Sequence, residues 1–221
     1  MITIHHLNNS RSQRVLWLLE ELGVPYEIRR YERDAATMLA PEALRAVHPL
    51  GKAPVLAEGD LVVAETGAIV EYILERHGAG RLAPARDGAD WWRFRHWMHH
   101  AEGSAMPPLV MSLVLGRLPA GLPPAAQPMA RGMVEGLQAG FLAPNLERLK
   151  TYWHEALAAT GWFAGPEMTA ADIMMSFPLE AAASRSPFGE ARPNPGAFLA
   201  RVHTRPAYQR ALERGGPYAY A

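Results

Sequence analysis

Short apolar segments alternate with helical patterns along the first 78 residues of the chain. Runs of four to six apolar or β-branched residues bounded by turn residues indicate strands, and apolar residues spaced three and four apart indicate helices. The pattern predicts strands at 2–7, 26–30, 55–57 and 61–63, and helices at 15–22, 41–47 and 65–76. This order is that of an α/β domain with a small mixed sheet covered by helices.

The composition changes at residue 79. Residues 79–88 are rich in alanine, glycine, proline and arginine, which is typical of a linker. Beyond them the pattern is helical, with a proline-rich loop at 118–124. Helices are predicted at 91–106, at 129–157 with a kink at Pro144, and at 170–183, 195–203 and 206–214. We therefore predict an α/β domain at 1–78, a linker at 79–88 and an all-α domain at 89–221.

Composition and charge narrow the range of functions. Lysine plus arginine equals aspartate plus glutamate, at 22 each, which gives no reason to expect a nucleic-acid or membrane partner. Cysteine is absent, so disulfides and a thiol nucleophile carried by the protein are excluded. No apolar run approaches the ~20 residues that span a bilayer, and the N-terminus lacks a signal pattern. We expect a cytoplasmic protein.

A cluster of seven polar residues, Asn8 to Arg14, separates the first strand from the first helix. One interpretation is a polar turn in which Ser12 or a neighbour caps the helix. The other is a ligand site, because the free backbone N–H groups of a helix start bind anions. The Ser10 or Ser12 hydroxyl would then donate a hydrogen bond to a thiolate held there.

Two further segments contain candidate binding residues. Pro54 precedes the strand at 55–57, where a trans bond is the ordinary expectation; a cis Ala53–Pro54 bond would expose backbone groups to an extended peptide. Glu65 and Thr66 begin a helix. A threonine hydroxyl and N–H suit a carboxylate, and a glutamate beside them suits an ammonium group, so the pair fits the head of a free amino acid.

Other clusters have simpler explanations. His96, His99, His100 and Glu102 share a predicted helix at metal-ligand spacing, but the aromatic residues around them favour a packing surface. His5 and His6 are interpreted as a core–surface alternation in the first strand. The segment 106–111 is apolar and either belongs to the core or lines a hydrophobic substrate pocket.

Together these motifs resemble the cytosolic glutathione transferases along nearly the whole chain. The resemblance rests on Ser10-Arg11-Ser12-Gln13-Arg14, "GKAPVL", "ETGAIVEYI", "MTAADIMMSFPLE" and "RPAYQRAL". It implies a thioredoxin-like N-terminal domain and an α-helical C-terminal domain that contributes the hydrophobic substrate pocket. Thr169 and Asp172 also fit a helix capping box, which is a structural motif.

The resemblance implies a role for each motif toward glutathione. Ser10 stands where serine-type members activate the glutathione sulfur, and Ser12 and Asn9 are rivals within the same turn. Glu65 and Thr66 would hold the γ-glutamyl end. The turn has no tyrosine or cysteine, which rules out a mixed disulfide with the protein, and Thr66 stands where serine is commoner.

The segment before the third strand would hold the rest of the tripeptide. The backbone of Val55, next to a cis Pro54 and with Ala53 before it, would pair with the cysteinyl part. Lys52 would meet the glycine carboxylate. Glutathione is thus expected as co-substrate, without a metal.

The resulting hypothesis is a glutathione transferase in which a serine hydroxyl stabilises the thiolate for attack on a small electrophilic, largely apolar substrate. One alternative is a glutathione-dependent disulfide or peroxide reductase, in which two glutathione molecules supply both thiols. Another is a non-catalytic binding module that keeps the fold. The resemblance and the tryptophan-rich helix near residue 91 also predict a homodimer.

Overall fold

A computed structural model of the protein describes residues 1–220; the last residue of the predicted helical domain, Ala221, lies outside the described residues. The strands are β1 Ile2–Leu7, β2 Tyr26–Tyr31, β3 Val55–Glu58 and β4 Leu61–Ala64. The α-helices are α1 Ser12–Leu22, α2 Glu42–Arg45, α3 Thr66–His77, α4 Trp91–His100, α5 Met106–Arg117, α6 Gln127–Leu137, α7 Ala143–Ala156, α8 Ala170–Ala183, α9 Pro193–His203 and α10 Pro206–Gly215.

The four strands form one mixed sheet in the order β2-β1-β3-β4. β1 runs parallel to β2, with Ile4 opposite Ile28, and antiparallel to β3, with Ile4 opposite Leu56. The β3–β4 hairpin completes the sheet. Parallel β1 and β2 require a crossover, which α1 supplies. The predicted α/β thioredoxin-like domain, followed by a mostly helical region, is confirmed.

The first helix is buried on nearly every side. Val15 to Leu19 are fully inaccessible to solvent, because α1 packs against β1, α3, α8 and α10. The helix ends at Gly23, whose φ of +66° is the left-handed conformation that glycine adopts without strain. Because α1 packs against both the sheet and the helical region, its start and the polar turn before it lie at the junction between the two.

The two long helices of the second half are each interrupted by a π-helical turn. The predicted helix 91–106 continues as α4, a π turn at Ala101–Ala105 and α5; the predicted helix 129–157 is α6, a π turn at Gln138–Leu142 and α7. In both cases prolines follow at once, Pro107-Pro108 and Pro144. A proline lacks the N–H of the regular ladder and clashes with the carbonyl four residues earlier, and the wider turn accommodates it.

Helix α8 is the centre of the helical region and is buried from Ala170 to Ala182. Its start has the predicted capping box: Thr169 accepts from the Ala171 N–H, and Asp172 accepts from the Thr169 N–H at 2.8 Å. Among the helices of residues 1–220, none is both long and apolar enough to cross a membrane.

Candidate active site

A cleft of about 400 Å³ lies where the sheet domain meets the helical region. It contains five residues that the sequence assigned to ligand binding: Lys52, Ala53, Pro54, Glu65 and Thr66. It also contains six residues that the sequence did not assign to glutathione: Arg11, His48, Leu50, Ala64, Glu102 and Val110, the last from the apolar segment 106–111. Segments far apart in the chain therefore converge on one cavity.

The start of α3 forms one wall of the cleft. Glu65 is exposed and has a φ of +69°, a conformation that is uncommon for a residue with a side chain. Thr66, the first residue of the helix, is 4% exposed. Backbone N–H groups of the first helical turn have no partner within the helix, so this end can bind a carboxylate. The strained backbone at Glu65 is typical of a position kept for function.

The segment before β3 forms the next wall. The Ala53–Pro54 peptide bond is cis, as the resemblance implies and contrary to the ordinary expectation for an X–Pro bond. Lys52 is exposed and Ala53 is half-buried, and both line the cleft. Val55 does not: it is fully buried within β3, opposite His5 of β1 and Ala64 of β4.

The serines of the polar turn do not have the positions that the capping prediction gave them. Ser12 is the first residue of α1, and the N-cap residue is Arg11, whose side chain does not cap the helix. The prediction that Ser12 caps the helix is therefore wrong, and its neighbour Ser10 instead accepts the N–H of the first helical residue. Ser12 is fully buried, with its Oγ 2.8 Å from His6 Nδ1 and 2.7 Å from Ser10 Oγ. Ser10 is 5% exposed and its Oγ accepts the Ser12 N–H at 3.3 Å. Between them, Arg11 reaches the cleft.

His5 and His6 are both buried, at 8% and 2% exposure, so the predicted core–surface alternation is wrong. His5 Nδ1 lies 2.8 Å from the Tyr31 hydroxyl. Burial, with help from the charge of Arg30, lowers the pKa of His6 to about 4. The His6 ring is therefore neutral at pH 7, and one of its nitrogens is committed to Ser12.

Asn9 holds the C-terminal tail. Its φ is +48°, and its Oδ1 accepts the Ala219 N–H at 2.8 Å. Tyr218, next in the tail, donates its hydroxyl to Glu180 of α8 at 2.5 Å. The side-chain oxygen of Asn9 is thus occupied within the protein, beside Ser10.

Two arginines of the turn share one carboxylate from the helical region. Arg11 Nε donates to both oxygens of Glu102, at 2.9 and 3.2 Å, and Arg14 donates to Glu102 Oε1. Glu102 lies on the π turn that follows α4. Burial opposes ionisation of Glu102, but the charges of Arg14 and Arg11 outweigh it and hold the pKa of this carboxyl below its ordinary value.

Comparison with known proteins decides the family. The family model for the glutathione S-transferase N-terminal domain matches residues 1–75. Glutathione S-transferase 3 of Schizosaccharomyces pombe is 35% identical over 218 residues, which cover 97% of this chain and 88% of that protein. The chain belongs to the glutathione transferase family.

Solved structures agree with this assignment to the glutathione transferases. A glutathione S-transferase from Actinobacillus pleuropneumoniae is 32% identical, with a TM-score of 0.82, and the match covers 100% of this chain and 95% of that one. A sphingomonad glutathione S-transferase, solved in complex with glutathione, shares the fold at a TM-score of 0.71 and 22% identity, covering 97% and 98% of the two chains.

The histidine cluster of this glutathione transferase family member is divided between surface and core, since His96 and His99 are exposed and only His100 is buried. Within residues 1–220, no group of three or more metal-ligating side chains comes together. The cluster's members have separate partners: Tyr152 for His96, Arg95 for His99, Trp153 for His100, and the two turn arginines for Glu102. The apolar segment 106–111 contributes to both the core and the cleft: Met106 and Leu109 are buried in the core, and Val110 lines the cleft.

Proposed function

We propose that this glutathione transferase family member joins the glutathione thiol to a small electrophilic, largely apolar substrate in the cleft described above. The supporting observation is that one cavity brings together the start of α3, the cis Pro54 segment and the Arg11 side chain at the start of α1. These three elements suit, in turn, an amino-acid head group, an extended peptide and an anionic sulfur.

The two ends of glutathione find complementary groups in this cleft. The exposed Glu65 carboxylate would pair with the γ-glutamyl ammonium, and Thr66 with the free N–H groups of α3 would bind its carboxylate. Lys52 would meet the glycine carboxylate. Because Val55 is enclosed in the sheet, we assign the backbone contact with the cysteinyl part to Ala53. The sphingomonad relative in complex with glutathione supports the same class of ligand.

The sulfur would lie at the start of α1, near Ser10. A thiol with a pKa of ~8.5 is only about 3% ionised at neutral pH, and lowering that pKa by ~2 units requires roughly 2.7 kcal/mol. A hydrogen bond to a charged group supplies about 1.5–3 kcal/mol, and a helix N-terminus adds about 0.3–1. We favour Ser10, because the family resemblance places the activating serine there and the Ser12 hydroxyl is taken up by His6 inside the protein. Asn9 is the remaining rival, since the tail bonds only its side-chain oxygen and leaves its amide N–H groups as donors.

The Ser10 hydroxyl can donate a hydrogen bond to a thiolate only if it does not donate its proton to Ser12. A hydroxyl has one proton to donate, so Ser10 donates outward only when Ser12 donates its own proton to Ser10. Leu50 and Val110 give the second substrate an apolar surface beside the sulfur. A mixed disulfide between glutathione and the protein is excluded, since the chain has no cysteine.

Two measurements test this function. The protein should bind S-methylglutathione in calorimetry, and it should conjugate glutathione to an aryl halide. Ser10→Ala should lower kcat/KM about 10- to 100-fold, the loss expected for one hydrogen bond to a charged group, while Ser10→Thr retains most activity. If no glutathione derivative binds, the function is wrong. If Ser10→Ala is fully active, the assignment of Ser10 is wrong.

The reductase alternative uses the same glutathione site and stays a prediction. A comparison of rates on a small disulfide and on an aryl halide separates the two reactions. A cytoplasmic location also stays a prediction.

We further propose a homodimer. Trp92 of α4 is 78% exposed and borders a second cleft of about 1070 Å³, which also includes Leu74 and Arg95. An exposed tryptophan at the edge of a broad cavity suits a partner surface. Light scattering should give a dimer mass for the wild type, and Trp92→Ser should shift it toward the monomer.

A further inference from the structure

The start of α1 has an excess of positive charge. Arg11 and Arg14 share the single carboxylate of Glu102, which leaves one positive charge over for the three side chains. Arg14 is 1% exposed and also donates to the Met174 carbonyl at 2.6 Å. The amide dipoles of α1 add further positive potential at this end. An anion bound here would neutralise the remaining positive charge of the two arginines.

Of the two arginines, Arg11 is the one that reaches the cleft, and the Glu102 side chain that holds it lines the cleft as well. Its Nε is used by Glu102, and within residues 1–220 its two terminal nitrogens have no hydrogen-bond partner. Arg11 lines the same cavity as Pro54 and Thr66. A guanidinium has five donors, so four remain for a ligand after Nε is bound to Glu102.

The direction of the Arg11 side chain is fixed from two sides. Glu102 holds its Nε, and the guanidinium carbon lies 5.8 Å from the centre of the Phe177 ring. Both anchors come from the helical region, so the interface between the two halves of the chain sets the position of this charge. A side chain held in this way loses little entropy when it binds an anion.

We propose that Arg11 is a further catalytic residue, which stabilises the glutathione thiolate by charge, and that Glu102 is the residue that positions it. This inference rests on the proposed function. The thiol releases its proton to water, and the sulfur becomes an anion beside the Arg11 guanidinium. The sulfur lone pair then forms the carbon–sulfur bond, and the leaving group departs with the electron pair of the bond that breaks.

The experiment measures ionisation of bound glutathione directly. Ultraviolet absorbance of the thiolate is titrated against pH for the wild type, Arg11→Gln and Arg11→Lys. Arg33→Gln is the matched charge control. Burial lowers the pKa of Arg33, and the charge of Arg11 lowers it further, which shows that the two arginines are near each other. Arg33 does not line the cleft. Thermal unfolding checks that each variant is folded.

Arg11→Gln should raise the pKa of the bound thiol by about one unit or more, and so lower the thiolate fraction at neutral pH several-fold. Arg11→Lys should recover most of that fraction, because the charge is retained. Arg33→Gln should differ little from the wild type. Affinity for S-methylglutathione, which has no ionisable thiol, should stay within about threefold of wild type in all variants.

The failures are distinguishable. If the wild type does not bind S-methylglutathione, the proposed function is wrong. If binding is intact and Arg11→Gln leaves the thiol pKa unchanged, or Arg33→Gln raises it equally, the role of Arg11 is wrong. If Arg11→Gln is unfolded, the Arg11→Lys variant gives the answer, because it keeps the positive charge but contacts Glu102 less well. A thiol pKa like that of the wild type in Arg11→Lys supports stabilisation by charge. Loss of the thiolate absorbance in Arg11→Lys contradicts it.

Discussion

The hydroxyl oxygens of Ser10 and Ser12 lie 2.7 Å apart, and they occupy different environments. Ser12 is fully enclosed and is also bonded to His6 and to the backbone of Leu7. Ser10 stands one step nearer the surface, next to Arg11. Ser12 therefore holds the turn in place, and Ser10 is the serine that we propose for the ligand, although it is itself 5% exposed.

Ser12→Ala should destabilise the protein by about 1–3 kcal/mol, because it leaves the Leu7 N–H and the His6 ring buried without their partner. Urea unfolding gives this free energy. Ser10→Ala is the control and should cost less, since its removal leaves the Ser12 contacts with β1 intact. Equal losses in the two variants would contradict this division of roles.

His6 predicts a dependence of stability on pH. Its pKa is 6.5 in the unfolded chain and about 4 when folded, chiefly through burial. The folded state keeps the ring neutral, so its contribution is complete above pH 6.5 and is lost as pH falls toward 4. The loss is roughly 3 kcal/mol. His6→Asn should flatten this part of the unfolding free energy against pH, and an unchanged slope would show that other groups cause it.

Thr66 should act through its hydroxyl at the start of α3. Thr66→Val keeps the shape but removes the hydrogen bond to a carboxylate, and we expect roughly 10- to 100-fold weaker glutathione binding. Thr66→Ser retains the hydroxyl and should bind nearly as well as the wild type. Calorimetry with S-methylglutathione measures both, and equal affinity of the valine variant would place the γ-glutamyl group elsewhere.

Glu65 should show opposite effects on stability and binding. Its φ of +69° is costly for glutamate and easy for glycine, so Glu65→Gly should stabilise the fold by about 1 kcal/mol. The same change removes the carboxylate proposed for the ligand ammonium and should weaken glutathione binding. Glu65→Gln separates the effect on stability from the effect on binding, since it keeps the backbone strain and removes only the charge. A glycine variant that binds normally would contradict the ligand role.

The sequence predicted most of the fold because local patterns determine it. The short apolar run of β1, the helical spacing of Val15 to Leu22 and the Thr169–Asp172 capping box each depend on neighbours a few positions away. The π turns could not be read in this way. Pro107 and Pro144 signalled a disturbance of the helix, but the pattern did not specify that a wider turn would absorb it.

The site was predicted in part. Glu65 and Thr66 are predicted from the free groups of a helix start and Ala53 and Pro54 from their position before a strand, whereas Lys52 follows from the family resemblance alone; all five line the cleft. The contact between Arg11 and Glu102 joins residues 91 positions apart, and it depends on how the helical region packs onto α1. Ser12 was misread as a candidate cap, because a serine before a helix gives the same signal whether its hydroxyl turns toward the helix or into the core.

Arg14 belongs to the first domain by sequence, yet both acceptors of its guanidinium group, Glu102 and the Met174 carbonyl, come from the second. If the chain were cut after α3, this guanidinium and the apolar face of α1 around it would meet water instead. We therefore expect the N-terminal portion alone to be less stable than the same residues within the whole chain, and to regain stability when the helical half is added back.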